Sequence, residues 1–472
     1  MLIRDAEIYG IGLADLRVQD GQVTAIGQLE PMASDDTVFD AGKCALLPAL
    51  RDHHFHLLAF AASRESVQCG PPAVTAERAL AEALQGRARA RPGSWIRGIG
   101  YHPSVAGEID RHWLDTILPT TPARIQHRSG RLWILNSYAL NLVATGDTQS
   151  PLEYVDGHPT GRLYDGDEWL RERLGKHLPP IREASRFLLS RGVIEVTDTT
   201  PTNGVAEFEL LRTAQARGDL LQDLLVMGSA ALNDIGDAPH IRVGPTKIYL
   251  REAALPALAD IAAAIAASHA ANRPVAFHCA SLAELIFALG ALEEAGAMKG
   301  DRLEHAAVAP PEVLPIIAKL GVTIVTQPNF IAERGDAYLK EVDESDRPWL
   351  YRLRGFRDAG IPLAAGTDAP FGNADPWTAM QAAVTRSTAS GAIVGGHESL
   401  SPEAALALFS GPPDSPGALS EIRIGSAADL CLIDRPWSRA RTDLLDVQVT
   451  KVIKGGRIVW PDQSDSASIS PH

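Results

Sequence analysis

The residues with the clearest chemical potential are two histidines close together near the start of the chain. His54 and His56 belong to the string DHHFH, which follows an apolar stretch. Side chains of a β-strand alternate between its faces, so His54 and His56 point the same way while His53 points the other way. Two converging imidazoles are typical metal ligands. The spacing therefore predicts a metal site, with His53 facing the wall or outer layer of the fold.

Three further candidates each lie at the carboxyl end of a short predicted strand much later in the chain. His278 follows Pro274–Phe277, His305 ends the run that begins at Arg302, and Asp368 follows Ile361–Thr367. Taken singly, such a histidine is more often structural, and such an aspartate usually caps a helix. Equivalent positions at the ends of strands favour a shared site instead. There Asp368 would bind a metal and accept a proton from water.

Lys247 lies inside a predicted strand, in the string PTKIY. Burying its amine is costly unless the amine is paired or neutral. One interpretation is a lysine at the edge or mouth of the fold that contacts an acidic residue. The other is an amine of lowered pKa that adds carbon dioxide, giving a carbamate whose two oxygens bridge two cations.

The elements that must position these residues alternate between apolar strands and helical stretches. That pattern predicts an α/β fold built from βα units, and eight strands make a (β/α)8 TIM barrel the economical architecture. The carboxyl ends of barrel strands build active sites, which is where the candidates stand. The predicted strands are Cys44–Asp52, Gly192–Thr199, Leu221–Ser229, Pro245–Leu250, Pro274–Cys279, Arg302–His305, Gly321–Gln327 and Ile361–Asp368.

The two ends of the chain read differently from its middle. Short strands and turn signals in residues 1–49 and 412–472 predict a small composite β-sandwich, and the Ser- and Asp-rich stretch from Pro461 predicts a frayed tail. Residues 50–411 would form the barrel. A stretch of about 59–189, too long for a simple loop, predicts an insertion after the first barrel strand.

Composition narrows the class of partner. The 472 residues carry a formal net charge of -14, so no basic face is expected to bind nucleic acid or an anionic membrane. A small-molecule substrate is the better expectation, and a homodimer is one expectation for assembly. The four cysteines show no CxxC pairing, and no secretory leader or membrane span is evident, which favours a cytoplasmic protein.

Taken in order, these residues resemble the pattern of the amidohydrolase superfamily: HxH after the first strand, then Lys, His, His and Asp. PALRDHHFHL and RLEHA resemble two of its signatures. The strings WIRGIGY, NSYAL, PTGRL, QPNF and DPWTAMQAAVTR resemble the branch of N-substituted formamide deformylases, amidohydrolase family 3. The resemblance implies that His54 and His56 hold one metal, His278 and His305 another, that Lys247 bridges them, and that Asp368 binds the first metal and acts as acid and base.

This ligand set predicts a metal-dependent hydrolase with Asp368, Lys247 and His305 as catalytic residues. Zinc suits imidazole and carboxylate ligands, with iron, manganese and magnesium as alternatives. Two such ions lower the pKa of a bridging water enough to supply hydroxide near neutral pH. The favoured substrate has an amide-type carbon-nitrogen bond: an N-substituted formamide, an N-acyl amine or a cyclic amide.

Three alternatives stay open at this point. Deamination of a heterocycle in this superfamily usually places a glutamate three residues after the fifth-strand histidine, where this chain has Ser281. Ester or lactone hydrolysis would use the same metals with another leaving group. A catalytically silent member that only binds a ligand is the non-enzyme alternative, and the complete ligand set argues against it.

Candidate substrate-binding residues lie in predicted loops near the barrel mouth. Arg131 stands where relatives often carry histidine and would read an anionic group, or it is a surface arginine. The sequence IYLRE after Lys247 departs from the branch, which indicates a different substrate. The candidates are Tyr101, Arg131, Tyr249, Gln327 and Phe371, with His102, Trp133, Phe330 and Trp377 as further pocket residues.

Overall fold

The computed structural model describes residues 1–32, 37–71, 73–143, 151–174, 179–418 and 420–461. The predicted tail lies outside them from residue 462 onward. The chain divides into two compact units, one formed by Met1–Leu57 with Ser185–His472 and the other by Leu58–Ala184. Within the described residues, no helix is both long and apolar enough to cross a membrane.

The chain begins with five strands that belong to one sheet. A turn at Asp20-Gly21, where both residues have positive φ, connects the second strand to the third. The second strand lies antiparallel to the first and third, and the fifth lies parallel to the first. The five strands are β1 (Leu2–Ile8), β2 (Gly12–Gln19), β3 (Gln22–Gly27), β4 (Val38–Asp40) and β5 (Ala45–Pro48).

The first barrel strand is β6 (Leu50–Phe55). The sequence predicts one strand over Cys44–Asp52, but the structure divides that stretch between the terminal sheet and the barrel and extends the barrel strand to Phe55. The apolar run is continuous because both sheets bury it, so hydrophobicity alone does not mark where the chain passes from one sheet to the other.

The inserted unit has its own sheet in the order β11-β12-β10-β9-β8-β7. A buried apolar cluster that includes Leu84, Ile96, Leu114 and Ile125 forms part of its core. Its elements are α1 (Leu57–Arg64), β7 (Val67–Gln68), α2 (Glu77–Ala90), β8 (Ile96–Tyr101), α3 (Pro103–Ala106), α4 (Arg111–Ile117), β9 (Ala123–His127), β10 (Leu132–Leu135), α5 (Ser137–Val143), β11 (Leu152–Val155), β12 (His158–Tyr164), α6 (Asp167–Leu174) and α7 (Ile181–Ser190), of which α1 and α7 cross the unit boundaries.

Seven more parallel strands complete the barrel. All of the strand predictions after the first overlap an observed strand. The elements are β13 (Val193–Asp198), α8 (Val205–Ala216), β14 (Asp223–Gly228), β15 (Ile241–Tyr249), α9 (Leu258–Ala270), β16 (Val275–Cys279), α10 (Leu282–Ala295), β17 (Arg302–His305), α11 (Leu314–Leu320), β18 (Thr323–Thr326), α12 (Asn329–Glu341), α13 (Arg354–Asp358), β19 (Leu363–Ala365), α14 (Pro376–Thr385) and α15 (Pro402–Ala407).

The eight barrel strands pair in the order β19-β18-β17-β16-β15-β14-β13-β6. Backbone contacts between the segment after β19 and β6, the two end strands of this order, close the barrel. The Asp368 amide donates to the His54 carbonyl at 2.8 Å. A Cβ at Gly366 would lie 2.3 Å from the His54 nitrogen, so only glycine allows this approach. The predicted α/β class and eight-stranded barrel are confirmed.

The chain returns to the terminal sheet with β20 (Leu430–Ile433), α16 (Trp437–Ala440), β21 (Val449–Lys454) and β22 (Arg457–Trp460). Strand β20 pairs antiparallel with β5, so both chain ends share one sheet of eight strands. Ile3, Leu16, Leu430 and Ile453 belong to its buried core. Short 3-10 turns occur at Ala230–Leu232, Glu252–Ala254, Pro311–Val313, Arg347–Trp349, Gly396–Glu398 and Leu444–Asp446.

Candidate metal centre

Two histidines and an aspartate gather at the carboxyl ends of β6 and β19. His56 Nε2 lies 3.2 Å from Asp368 Oδ1, and His54 Nε2 lies 3.5 Å from the same oxygen. One ligand atom from each of the three side chains lies within 4.8 Å of the other two. The arrangement can hold a single cation between two imidazoles and a carboxylate.

A second pair of histidines stands on the neighbouring strands β16 and β17. His305 Nε2 lies 3.1 Å from His278 Nδ1. The His305 ring centroid is also 4.7 Å from that of His54, so the pair adjoins the first group. The structure thus brings together all four predicted histidine ligands and Asp368.

Lys247 is on β15, the strand next to β16, and its side chain is buried. Its Nζ has no hydrogen-bond partner among the described residues. Burial lowers the pKa of this amine, and the nearby Glu304 carboxylate opposes that shift only in part. A larger share of Lys247 is therefore in the neutral form, which is the form that can react with carbon dioxide.

Three of the histidines are held through Nδ1 by an oxygen of another side chain. Such contacts fix the orientation of a ring and leave Nε2 for the site. The oxygens are Glu304 Oε2, 2.5 Å from His54 Nδ1; Thr200 Oγ1, 2.9 Å from His56 Nδ1; and Gln327 Oε1, 2.6 Å from His305 Nδ1.

Burial keeps His54, His278 and His305 neutral. It lowers the pKa of His54 to about 4 and that of His305 to about 3, and it places the pKa of His278 well below its ordinary value. Neutral imidazole is the form that binds metals. These three rings are therefore in their ligating state at neutral pH.

In Asp368, neighbouring side chains outweigh burial in setting the pKa of the carboxyl group. Burial alone would raise the pKa of its carboxyl group, but the imidazoles of His54, His56 and His305 outweigh burial and hold the pKa below its usual range. The group is thus an ionised carboxylate, yet its Oδ1 has no geometrically acceptable hydrogen-bond donor among the described residues. A buried, unsatisfied anionic oxygen beside imidazoles is costly without a cation.

Glu304 is a functional candidate that sequence reasoning missed. Its side chain is fully buried, and Arg302 Nε donates to its Oε1 at 2.8 Å while its other oxygen lies on His54. Burial would raise the pKa of Glu304, but Arg302, Lys247 and His54 outweigh burial and lower it. Its only signal in the sequence was its position beside His305 in the string RLEHA.

An unusual backbone explains why neighbours on β17 both reach the site. Side chains of consecutive strand residues point to opposite faces, yet both Glu304 and His305 contact the histidine group. His305 has a φ of 69° and Ala306 a φ of 43°, and Asp368 has a φ of 55°. Non-glycine residues seldom adopt this left-handed conformation, and such strain concentrates at functional sites.

Several predicted pocket residues contact the histidines. The Tyr249 ring lies 4.4 Å from the His278 ring, and the Phe371 ring meets the His56 ring edge to face at 5.3 Å. Gln327 contacts His305, and its predicted role toward substrate stays a prediction. Phe330 lies under the Arg334 guanidinium at 3.9 Å, and the buried Trp377 donates its Nε1 to the Arg191 carbonyl.

The other pocket candidates belong to the inserted unit, where they make contacts of their own. Their roles toward substrate stay predictions. The Arg131 guanidinium forms a two-pronged pair with Asp165 at 2.7 and 2.9 Å, the Tyr101 hydroxyl donates to the Gly107 carbonyl, His102 Nδ1 lies 2.8 Å from Ser104 Oγ, and Trp133 Nε1 donates to Asp167.

A parallel eight-stranded barrel with histidines and an aspartate at its carboxyl ends defines a class of metal-dependent hydrolases. Comparison with known families agrees with this class. The model of the Amidohydrolase family matches residues 37–460, so the chain belongs to that family. The predicted family is confirmed, and with it the expectation of a metal-dependent enzyme.

Individual relatives are distant but extend over most of the chain. N-substituted formamide deformylase from Arthrobacter pascens is 25% identical, with 93% of each chain covered. The putative amidohydrolase YtcJ from Bacillus subtilis is 23% identical and covers 78% of this chain and 79% of its own. An uncharacterised metal-dependent hydrolase from Pyrococcus horikoshii shares the fold with a TM-score of 0.75 at 20% identity, covering 97% and 99% of the two chains.

Proposed function

We propose that this enzyme hydrolyses an amide-type carbon-nitrogen bond in a small molecule: an N-substituted formamide, an N-acyl amine or a cyclic amide. The observation that carries the proposal is the convergence of His54 and His56 on an ionised Asp368 oxygen that lacks a donor. The similarity to N-substituted formamide deformylase supports the choice of bond.

The side chains present fit two divalent ions, for which zinc is the best match to imidazole and carboxylate donors. In our proposal, His54, His56 and Asp368 hold the first ion and His278 and His305 the second. Lys247, as a carbamate, would bridge them. When bound, the ions polarise a carbonyl group and lower the pKa of water so that it attacks near neutral pH.

The protein's own groups then handle the proton. Asp368 takes it from the attacking water and passes it to the nitrogen of the departing amine, so that the carbon-nitrogen bond breaks without releasing an anionic amide. Asp368 starts as a carboxylate, which is the form that can accept this proton. Tyr249 and Phe371, beside the histidine rings, would flank the substrate.

One contact disfavours the deaminase alternative. Ser281, at the position where that chemistry places a glutamate, accepts a hydrogen bond from the Glu284 amide at 3.3 Å and caps α10. Glu284 is itself committed to the backbone amides of Ala280 and Ser281. Both side chains are used to start the helix. Ester or lactone hydrolysis would use the same catalytic groups and differs only in the leaving atom.

The decisive experiment is a screen of zinc-reconstituted protein against formamides, N-acyl amines, cyclic amides, matched esters and lactones, and amino-substituted heterocycles. We expect turnover of at least one amide class, detected as release of an amine or opening of the ring. Ammonia release from the heterocycles alone, or turnover confined to esters and lactones, would contradict the proposal.

The number of ions has its own test. We expect elemental analysis to find about two metal equivalents per chain and the Lys247→Ala variant to lose at least one. Lys319→Ala, which removes an exposed lysine paired with Glu293, is the matched control and should keep both. One equivalent in the parent and in both variants would contradict the bridging carbamate.

We also propose that the enzyme is cytoplasmic. The described structure contains four free cysteines, Cys44, Cys69, Cys279 and Cys431, of which only Cys44 is not fully buried. Unpaired thiols are typical of a reducing compartment. Fractionation of the source cells should recover the activity with cytosolic markers, and recovery from a secreted fraction would contradict this location.

A further inference from the structure

Arg334 is a partly buried arginine that has no role in the proposed reaction. It lies in the second turn of α12, and this helix begins shortly after the carboxyl end of β18. Side chains of an α-helix point toward its amino terminus, which here is the mouth of the barrel. The Arg334 guanidinium accordingly lies over the ring of Phe330, one turn earlier, at 3.9 Å from the ring centroid.

The guanidinium contacts the turn that carries Asp368. Arg334 Nη2 donates to the Phe371 carbonyl at 2.5 Å. The amides of Phe371 and Gly372 donate to the Asp368 carbonyl at 2.8 and 3.1 Å, and the Phe371 ring meets the His56 ring edge to face. A single residue, Phe371, therefore links Arg334 to two of the ligand candidates.

The first turn of α12 packs against the same turn. Asn329 Nδ2 donates to the Thr367 carbonyl at 3.1 Å. A Cβ at Gly372 would lie 2.3 Å from the Thr367 oxygen and 2.4 Å from Asn329 Nδ2, so the two segments approach too closely for any side chain there. This packing fixes the position of Arg334 relative to Asp368.

The charge of Arg334 is not balanced by an ion pair with any described carboxylate. The bond to Phe371 is the only hydrogen bond that its side chain makes to the described residues. The adjacent Glu333 instead accepts from Asn329 Nδ2 at 3.0 Å and from the Asn373 amide at 2.9 Å. Arg334 Nε and Nη1 have no described partner, yet they are not sealed from solvent. Both nitrogens are thus open to a ligand.

Aromatic rings give the guanidinium a weakly polar environment. Phe330 meets Tyr351 edge to face at 5.6 Å, and Tyr338 stacks on Tyr351 at 5.9 Å. Burial alone would lower the pKa of Arg334, but its interactions with the two tyrosines and Asp368 raise it. The group therefore keeps its charge, and a charge that is partly removed from water attracts an anion more strongly than one in bulk solvent.

We propose that Arg334 is a specificity-determining residue that binds a carboxylate of the substrate, so that the preferred substrates are N-formyl or N-acyl amino acids. One guanidinium matches the single charge of a carboxylate, whereas a phosphate ester carries nearly two charges at neutral pH. The inference rests on the proposed function, because it concerns the same site.

Binding of oxo acids tests the inference without turnover. Levulinate and its next two longer homologues carry a ketone in place of the amide, so there is no carbon-nitrogen bond to cleave. Each acid is paired with the neutral ketone in which an isopropyl group replaces the carboxylate. We expect calorimetry on the full-length, zinc-reconstituted protein to show at least one acid binding about tenfold or more tightly than its neutral partner.

The ratio of the two affinities is the readout, because damage to the site would weaken both ligands together. Arg334→Gln should lose most of the preference for the acid, and Arg334→Lys, which keeps the charge, should retain part of it. Arg357→Gln changes an exposed arginine of α13 and is the matched control that should keep the full preference. Circular dichroism and zinc content verify that each variant is folded and loaded.

No preference for any acid in the parent, or the same preference in the parent and Arg334→Gln, would overturn the inference. Turnover of N-formylglycine and neutral N-formylisobutylamine distinguishes it from the proposed function. Equal kcat/KM for the two formamides would overturn the role of Arg334 and leave amide hydrolysis standing. Binding of oxo acids that depends on Arg334, in a protein that cleaves no amide, would contradict the proposed function alone.

Discussion

At the scale of single residues, the site depends on charges that are buried without solvent. Asp368 remains a carboxylate because imidazoles surround it, and Glu304 remains one because Arg302 and His54 contact it. Asp368 has an oxygen that is free to bind a cation, whereas both oxygens of Glu304 contact protein donors. The two acids therefore have different proposed roles: Asp368 takes part in the reaction, and Glu304 positions the ligand candidate His54.

Asp368→Asn should abolish most of the activity. An amide cannot take a proton from the attacking water, and loss of general base catalysis typically costs about 100- to 10,000-fold in rate. We expect kcat to fall within that range while the variant keeps the parent's fold, as judged by circular dichroism. Asp358→Asn, at an exposed position of α13, is the control. Full activity of the Asp368 variant would remove this residue from its proposed role.

Glu304→Ala should destabilise the protein strongly. It leaves the buried Arg302 guanidinium without its carboxylate, and breaking a buried ion pair from one side costs about 3–5 kcal/mol. Loss of the support behind His54 should also weaken metal binding by about 10- to 100-fold. Urea unfolding and zinc competition titrations measure the two effects.

The exposed pair of Glu293 with Lys319 supplies the comparison for that variant. Its atoms are 3.2 Å apart, but both side chains are exposed to solvent. Glu293→Ala should barely change the free energy of unfolding, because exposed pairs contribute little. If the Glu304 and Glu293 variants lost similar amounts of stability, Arg302 and Glu304 would not be a coupled buried pair.

At the scale of elements, parallel strands bring distant residues to one end of the barrel. The ligand candidates come from β6, β15, β16, β17 and the segment after β19. A helix follows each of these strands along the chain. In α10, which begins four residues after His278, the start is fixed by the reciprocal contacts of Ser281 and Glu284.

Ser281→Ala should cost the protein about 1 kcal/mol, the usual effect of removing a helix cap. The alanine cannot accept the hydrogen bond from the Glu284 amide. Ser281→Asp retains an acceptor and should unfold close to the parent's urea midpoint. A parent-like midpoint for the alanine variant would mean that the capping box contributes nothing measurable.

At the scale of the whole molecule, the proposed ions would connect positions that are more than 300 residues apart in the chain, from His54 to Asp368. Such a centre exists only in the folded state, so metal binding and folding are coupled. The inserted unit interrupts this sequence of ligands after the first two. The barrel therefore encloses its site with residues from both sides of the insertion.

Removing the metal should lower the melting temperature. Ions at a hundredfold excess over their dissociation constant stabilise the folded state by about 2.7 kcal/mol per site. We expect a chelator to shift the thermal transition downward and added zinc to restore it. A His54→Ala, His56→Ala variant should respond less. An identical shift in that variant would place the stabilising metal at another site.

The sequence by itself determined the class of fold and the ligand candidates. Eight apolar runs spaced by helical stretches require a parallel sheet covered on both faces, and polar residues at their carboxyl ends must meet when the sheet closes. His54, His56, His278, His305 and Asp368 could be predicted because each lies at or shortly after the end of a predicted strand. Strand alternation and strand ends are local features that the sequence contains.

The tertiary structure decided what depends on contacts between distant segments. The sequence could not show that the run before His54 is shared by two sheets, or that the left-handed backbone at His305 lets Glu304 and His305 serve one site. Such features arise from close approach in space, and neither hydrophobic periodicity nor residue type encodes which side chains meet across a barrel.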